Sequence, residues 1–210
     1  MIARLNGVVV ELEGEVAVID VHGVGYEVAC SRALAVRCQL GASVTFPVFT
    51  DVREDSLRLF GFEDHAERHV FLLLNRVSGM GPRSSMDVVS NVAIRDLLRA
   101  IGSGDVNSLM KIKGVGKRKA ERIVVELRDL VVAMAGERAA GLRESVTVER
   151  GAAHGSAVSD PRSVSGDAVA ALEVLGFPRR DAEGAVAKAH EALPGQHEVG
   201  DLVREALRHI

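Results

Sequence analysis

The chain has no tryptophan, one tyrosine and six phenylalanines among its 210 residues, an aromatic share of 3%. Sequence-tolerant binders of single-stranded nucleic acid stack bases on aromatic side chains, so this scarcity argues against that mode. Cysteine is almost absent too. Cys30 and Cys38 stand apart, with no Cys-x-x-Cys spacing, and are expected to be reduced thiols of a cytoplasmic protein. No apolar run approaches the ~20 residues that a membrane-spanning helix requires. The start, Met1-Ile2-Ala3-Arg4-Leu5, reads as a strand rather than a charged-then-apolar leader. The nucleotide-binding pattern Gly-x-x-x-x-Gly-Lys-Ser/Thr is missing, because Gly116-Lys117 is followed by Arg118. ATP hydrolysis would therefore have to come from a partner. His65 and His69 are four apart, but Ala66 stands where a zinc protease would carry its glutamate, so they are expected to be surface histidines. No metal, cofactor or catalytic set is expected.

A positive excess is also lacking, since the net charge is −3. Its distribution matters more than its sum. Residues 1–63 carry 5 basic and 9 acidic side chains, a net of −4, and residues 136–210 carry 9 and 12, a net of −3. Residues 64–135 carry 12 basic and 8 acidic, a net of +4. A locally basic segment is the electrostatic footprint of a nucleic-acid-binding surface.

That basic segment holds one pattern twice, 35 residues apart: Leu74-Asn75-Arg76-Val77-Ser78-Gly79-Met80-Gly81-Pro82-Arg83 and Leu109-Met110-Lys111-Ile112-Lys113-Gly114-Val115-Gly116-Lys117-Arg118. Each copy reads as an apolar-periodic helix, a Gly-apolar-Gly turn and a second amphipathic helix. The glycines permit positive φ and close backbone approach, while Met80 and Val115 pin the turn inward. Pro82 suits the first helical position, whose N–H has no helical partner. The amides that open the second helix form an anion site reinforced by the helix dipole. Arg83 in one copy, and Lys117, Arg118, Lys119 and Arg122 in the other, would surround that anion with positive charge. The pattern resembles the helix-hairpin-helix motif, which holds the DNA backbone by phosphate without reading bases. The phosphate-binding set is accordingly Gly79, Met80, Gly81 and Arg83, with Gly114, Val115, Gly116, Lys117, Arg118 and Arg122.

Around this core the chain reads as a mixed β and α multidomain protein. Strand patterns are expected at Ile2–Leu5, Val8–Leu12, Val16–Val21, Gly25–Cys30, Val44–Thr50 and Leu57–Phe62. Five or six short strands within residues 1–63 suggest an N-terminal OB-type β-barrel. Gly23-Val24-Gly25 sits between strands and reads as a hairpin turn. Glu54 and Asp55 lie at the tip between the last two strands, where acids are ordinarily solvated turn residues. Residues 64–135 form a central all-α domain carrying both hairpins. Residues 136–165 lose periodicity and read as a flexible linker, about 25–30 Å in root-mean-square span if coil-like. Residues 166–210 form a small C-terminal three-helix domain, in which Leu172, Leu175 and Phe177 are either core or a partner-binding face.

The order of parts resembles the RuvA family of Holliday junction branch-migration proteins over essentially the whole chain outside the linker. The residues carrying the resemblance are Gly23-Val24-Gly25-Tyr26, Arg53-Glu54-Asp55, Leu59-Phe60-Gly61-Phe62, both hairpins, and Gly114-Val115-Gly116-Lys117 with Ala120-Glu121-Arg122. The resemblance implies a fourfold-symmetric homotetramer, one or two per junction, that holds four-way DNA open and flat. It implies that Glu54 and Asp55 act as pins keeping phosphates apart at the crossover. It further implies docking of a hexameric ATPase motor, RuvB, on the terminal domain, with a junction resolvase, RuvC, as a further partner. The chain itself would be a non-catalytic subunit. Ser85 departs from the family, where alanine is common, and would loosen the first hairpin. Two other classes remain to be weighed. A base-excision glycosylase would need a pocketed Asp downstream of a hairpin, for which Asp129 is the candidate. A single-strand binder would need exposed rings among Tyr26 and the four phenylalanines of residues 1–62.

Overall fold

A computed structural model describes the backbone of residues 1–147, 161–193 and 197–210, with side chains described outside 137–163 and 194–196. The chain divides into two compact units. One comprises Met1–Ile94 with Lys111–Lys119, the other Arg95–Met110 with Ala120–Ile210.

The first unit opens with five strands: β1 (Arg4–Glu13), β2 (Val16–Val21), β3 (Val24–Cys30), β4 (Ser43–Val52) and β5 (Leu57–Gly61). They close into a barrel in the order β1-β2-β3-β5-β4, with β4 pairing back onto β1. Every pairing is antiparallel except β3 with β5, where Val28 faces Leu59 and Cys30 faces Gly61. Alternation puts Leu5, Val9, Ala17, Ile19, Val28, Phe46 and Val48 inside. The two strand patterns expected at the start are one strand. Its register shifts between Val9 and Glu11, a bulge that sharpens the twist needed for closure. Short helix α1 (Arg32–Arg37) bridges β3 to β4, capped by Ser31 Oγ, which accepts from the Leu34 amide. Cys30 and Cys38 are free and buried. Burial and the neighbouring thiol push Cys30 up to about 12.

Helix α2 (His65–Leu74) follows the barrel and is joined to it by Phe71, whose ring centroid lies 4.8 Å from Phe62 and 5.2 Å from Phe49. A second joint is polar. Glu67 is buried, and its Oε2 accepts from Ser31 Oγ and from the Glu63 amide, both at 2.7 Å. One carboxylate thus ties the caps of α1 and α2 together. Burial pushes the Glu67 carboxyl above its ordinary value, more than the Glu63 amide and Ser31 hydroxyl lower it. The folded state therefore holds this proton more tightly than the unfolded chain, so Glu67 favours folding less as pH rises from the ordinary carboxylate range through its raised value. Glu67→Gln keeps an acceptor and removes the titration. The stability of the wild type relative to this variant is expected to fall as pH rises above the ordinary carboxylate range, near about pH 4, as thermal melts at stepped pH would show.

Helix α3 (Pro82–Asn91) completes the first hairpin. Helix α4 (Ile94–Ser103) buries Leu97, Ala100 and Ile101 at helical spacing, α5 (Val106–Met110) is a single turn, and α6 spans Lys117–Thr147, its first three residues in the first unit and the rest in the second. The expected linker over 136–165 is thus helical at both ends, because α6 runs to Thr147 and α7 begins at Pro161. Its remaining part, 148–160, lies outside the described residues. Helices α7 (Pro161–Val174), α8 (Arg179–Ala192) and α9 (Val199–Ala206) form the terminal three-helix group. Leu172, Leu175 and Phe177, open in the sequence between core and a partner-binding face, are buried and pack as core. The Arg99 guanidinium of α4 sits 5.1 Å from the Phe177 ring, and Gly102 faces Leu175 and Leu207.

Candidate nucleic-acid interface

Both hairpin turns lie in the first unit and share one backbone solution. Gly79 has φ 81 and Gly114 φ 85, the left-handed region that side chains avoid. The Met80 amide donates to the Val77 carbonyl and the Val115 amide to the Ile112 carbonyl, each at 3.0 Å. Met80 and Val115 are both 5% exposed. Their amides close the turns and their side chains anchor them. The second glycines do something else. Gly81, with φ −101, is the N-cap of α3, and Gly116 precedes α6. At either one an added Cβ would meet no heavy atom within 4 Å. The amides next in line, at Arg83 and Ser84 and at Lys117, Arg118 and Lys119, belong to first helical turns and have no intrahelical acceptor.

Charge is placed to match. Arg83, Lys117, Arg118 and Arg122 are exposed, Arg122 belonging to the part of α6 in the second unit. Neither α3 nor α6 has an acidic residue in its first turn, where one would ordinarily stabilise the dipole. Lys119 behaves differently. Half-buried, its Nζ lies 3.3 Å from the Gly114 carbonyl and 3.5 Å from Ser84 Oγ of the other hairpin. The phosphate-binding set drawn from the sequence omits this lysine, although the 35-residue offset that pairs Ser84 with Lys119 was visible there.

Ser85 packs at 0% exposure with an Oγ that has no hydrogen-bond partner. A buried unpaired hydroxyl costs about 1–2 kcal/mol. Ser85→Ala is expected to raise stability by that amount, read as a higher denaturation midpoint with an unchanged slope.

The acidic tip is a four-residue connection between the paired ends Val52 and Leu57. The Arg53 amide donates to the Ser56 carbonyl at 2.8 Å, and the Arg53 guanidinium lies 3.2 Å from Asp51. Glu54 and Asp55 are exposed and form no ion pair among the described residues. Competing sites are less well built. Asp129 is 79% exposed and faces Arg204 at 3.5 Å, not a pocket. Phe46, Phe60 and Phe62 are buried, leaving Tyr26 and Phe49 as the half-buried rings of the barrel.

Comparison with known proteins agrees with this arrangement part by part. The family model described as RuvA N terminal domain matches residues 1–61, SAM-like helix-hairpin-helix tandem matches 71–129, and RuvA, C-terminal domain matches 163–210. A Holliday junction branch migration complex subunit RuvA from Myxococcus xanthus is 43% identical over 99% of this chain and 97% of its own length. The chain belongs to the RuvA family. RuvA proteins so named from Methylobacterium sp. and Thermobifida fusca are 38% and 39% identical over 100% of this chain, and over 99% and 98% of their own lengths. The three matched parts coincide with the barrel, the paired hairpins and the terminal helices. Among the described residues no helix is long and apolar enough to cross a membrane.

Proposed function

We propose that the chain binds four-way DNA junctions without reading their sequence. It works as a homotetramer that holds the junction open and recruits a hexameric ATPase, RuvB, for branch migration in recombination and repair. The observation that carries this reading is the duplication of one turn, with each copy opening a helix whose first turn carries exposed basic side chains, Arg83 in α3 and Lys117 and Arg118 in α6. The family relatives, named as subunits of a branch migration complex, support it. Phosphate contact alone lets DNA slide, because every step presents the same backbone. Four such sites on one tetramer raise affinity for four arms over one through effective concentration.

The barrel offers a surface for self-association. Val8, Val10 and Leu12 of β1 and Val16 of β2 are exposed on its outer face, Val10 at 48%. A second tetramer and a resolvase, RuvC, would add to the same assembly. With Leu172, Leu175 and Phe177 in the core, the motor would engage the outward faces of the terminal helices. The chain carries no Gly-x-x-x-x-Gly-Lys-Ser/Thr, so the motor would supply the hydrolysis. Gel shifts on a four-way junction, a duplex and a single strand at two salt concentrations, with mass by light scattering, test the whole reading. Tightest binding to the junction, steep salt dependence and a tetrameric mass are expected. A preference for single strands, or a monomer on the junction, would overturn it.

A further inference from the structure

Lys119 is the third residue of α6 and Ser84 the third of α3, so they occupy equivalent positions in the two hairpins. Equivalent positions of two like motifs meet only near the axis that relates them. The Lys119 ammonium therefore sits where the two turns face each other, reaching Ser84 Oγ of one and the Gly114 carbonyl of the other. A cation in the first turn of a helix is disfavoured by the dipole unless something compensates it. For exposed Lys117 and Arg118 an arriving anion would be the compensation. Half-buried Lys119 already has a carbonyl and a hydroxyl.

We propose that Lys119 is a positioning residue: it braces the second glycine turn against the first hairpin and so fixes the spacing between the two phosphate sites. The carbonyl it holds belongs to Gly114, whose positive φ defines the turn. The Ser84 contact ties that turn to α3. At 3.3 and 3.5 Å both separations are long for an N–H···O bond, so the attraction is largely that of a point charge for two oxygens. This role rests on reading the hairpins as phosphate sites.

The test uses full-length Lys119→Met, which keeps the apolar stem, with Ser84→Ala and Lys119→Arg. Hydrogen exchange in the free protein is the first measurement. Loss of the brace should speed exchange of the hydrogen-bonded Met80 and Ser85 amides in Lys119→Met, although the substitution lies in the other hairpin. Ser84→Ala should do the same at the hydrogen-bonded Val115 amide, and Lys119→Arg should restore protection. Duplex affinity as a function of salt is the second. Lys119→Met should weaken binding roughly threefold to tenfold, the worth of one net hydrogen bond, while leaving the salt slope unchanged. Losing a phosphate ligand instead lowers the slope by about 0.9. That drop, with unchanged exchange across the hairpins, would make Lys119 an ordinary phosphate contact and overturn the proposal. In a protein that binds no DNA the phosphate reading fails by itself, and the exchange measurement still decides the brace.

Discussion

Gly81→Ala and Gly116→Ala are each expected to leave the protein about as stable as before while weakening DNA binding tenfold or more. Neither position requires glycine for conformation. Gly81 has φ −101, and Gly116 is absent from the residues with positive φ. Neither requires it for packing, because an added Cβ would meet nothing within 4 Å. Two small effects oppose each other. Alanine restricts the unfolded chain, stabilising by about 0.4–1 kcal/mol, and is a poorer helix N-cap than glycine by a similar amount. The picture reverses when a phosphate arrives. A methyl group on the approach side would keep its oxygens from the helix-opening amides. Two charge-assisted hydrogen bonds would be stretched, each worth about 1.5–3 kcal/mol. Gly79→Ala and Gly114→Ala are the controls. At φ 81 and 85 they should cost about 1–2 kcal/mol of stability each. Melting temperature and duplex affinity at one salt concentration, measured on all four variants, separate the roles. Undiminished binding in Gly81→Ala and Gly116→Ala would mean that no ligand backbone comes close there.

The second large effect concerns the acidic tip. Glu54→Gln with Asp55→Asn preserves shape and removes two negative charges. Duplex affinity is expected to rise about tenfold and the junction-to-duplex ratio to fall by as much. The estimate follows from Coulomb's law: a carboxylate about 5 Å from a phosphate in aqueous surroundings is repelled by roughly 0.8 kcal/mol. The local charge is not diluted by its neighbours, because Arg53 is engaged with Asp51 at 3.2 Å while Glu54 and Asp55 pair with no cation among the described residues. Competition binding with junction and duplex at fixed salt measures the ratio. An unchanged ratio would leave Glu54 and Asp55 as solvated turn residues and nothing more.

Local periodicity carried much of this architecture. The hairpins were legible because their signals are local: two glycines, an apolar residue between them and a helical period on either side. The barrel was legible as a class from its short alternating strands, but not in its connections. Helix α1, six residues long, has too few turns to show a period. The split read at Asn6-Gly7 mistook a close approach for a break. Gly7 lies mid-strand where any Cβ would collide with the Asp20 carbonyl oxygen of β2. The parallel closure of β3 on β5 brings together segments some thirty residues apart, which no local pattern encodes. The fates of Leu172, Leu175 and Phe177 depended on tertiary packing, since an apolar helix face reads the same whether it meets its own core or a partner. The in-turn hydrogen bonds of the Met80 and Val115 amides were illegible for a related reason. Glycine turns announce available N–H groups, but only the folded backbone shows which the turn itself consumes.

The buried Cys30–Cys38 pair has a practical corollary at the bench. Thiol-directed dyes and spin labels are electrophiles attacked by the thiolate. Cys30 is pushed up to about 12, Cys38 is also raised by burial, and both are at most 2% exposed. A single cysteine introduced at the acidic tip or beside a hairpin could then be tagged with both native thiols left in place, so distance measurements on the loaded assembly need no cysteine-free background.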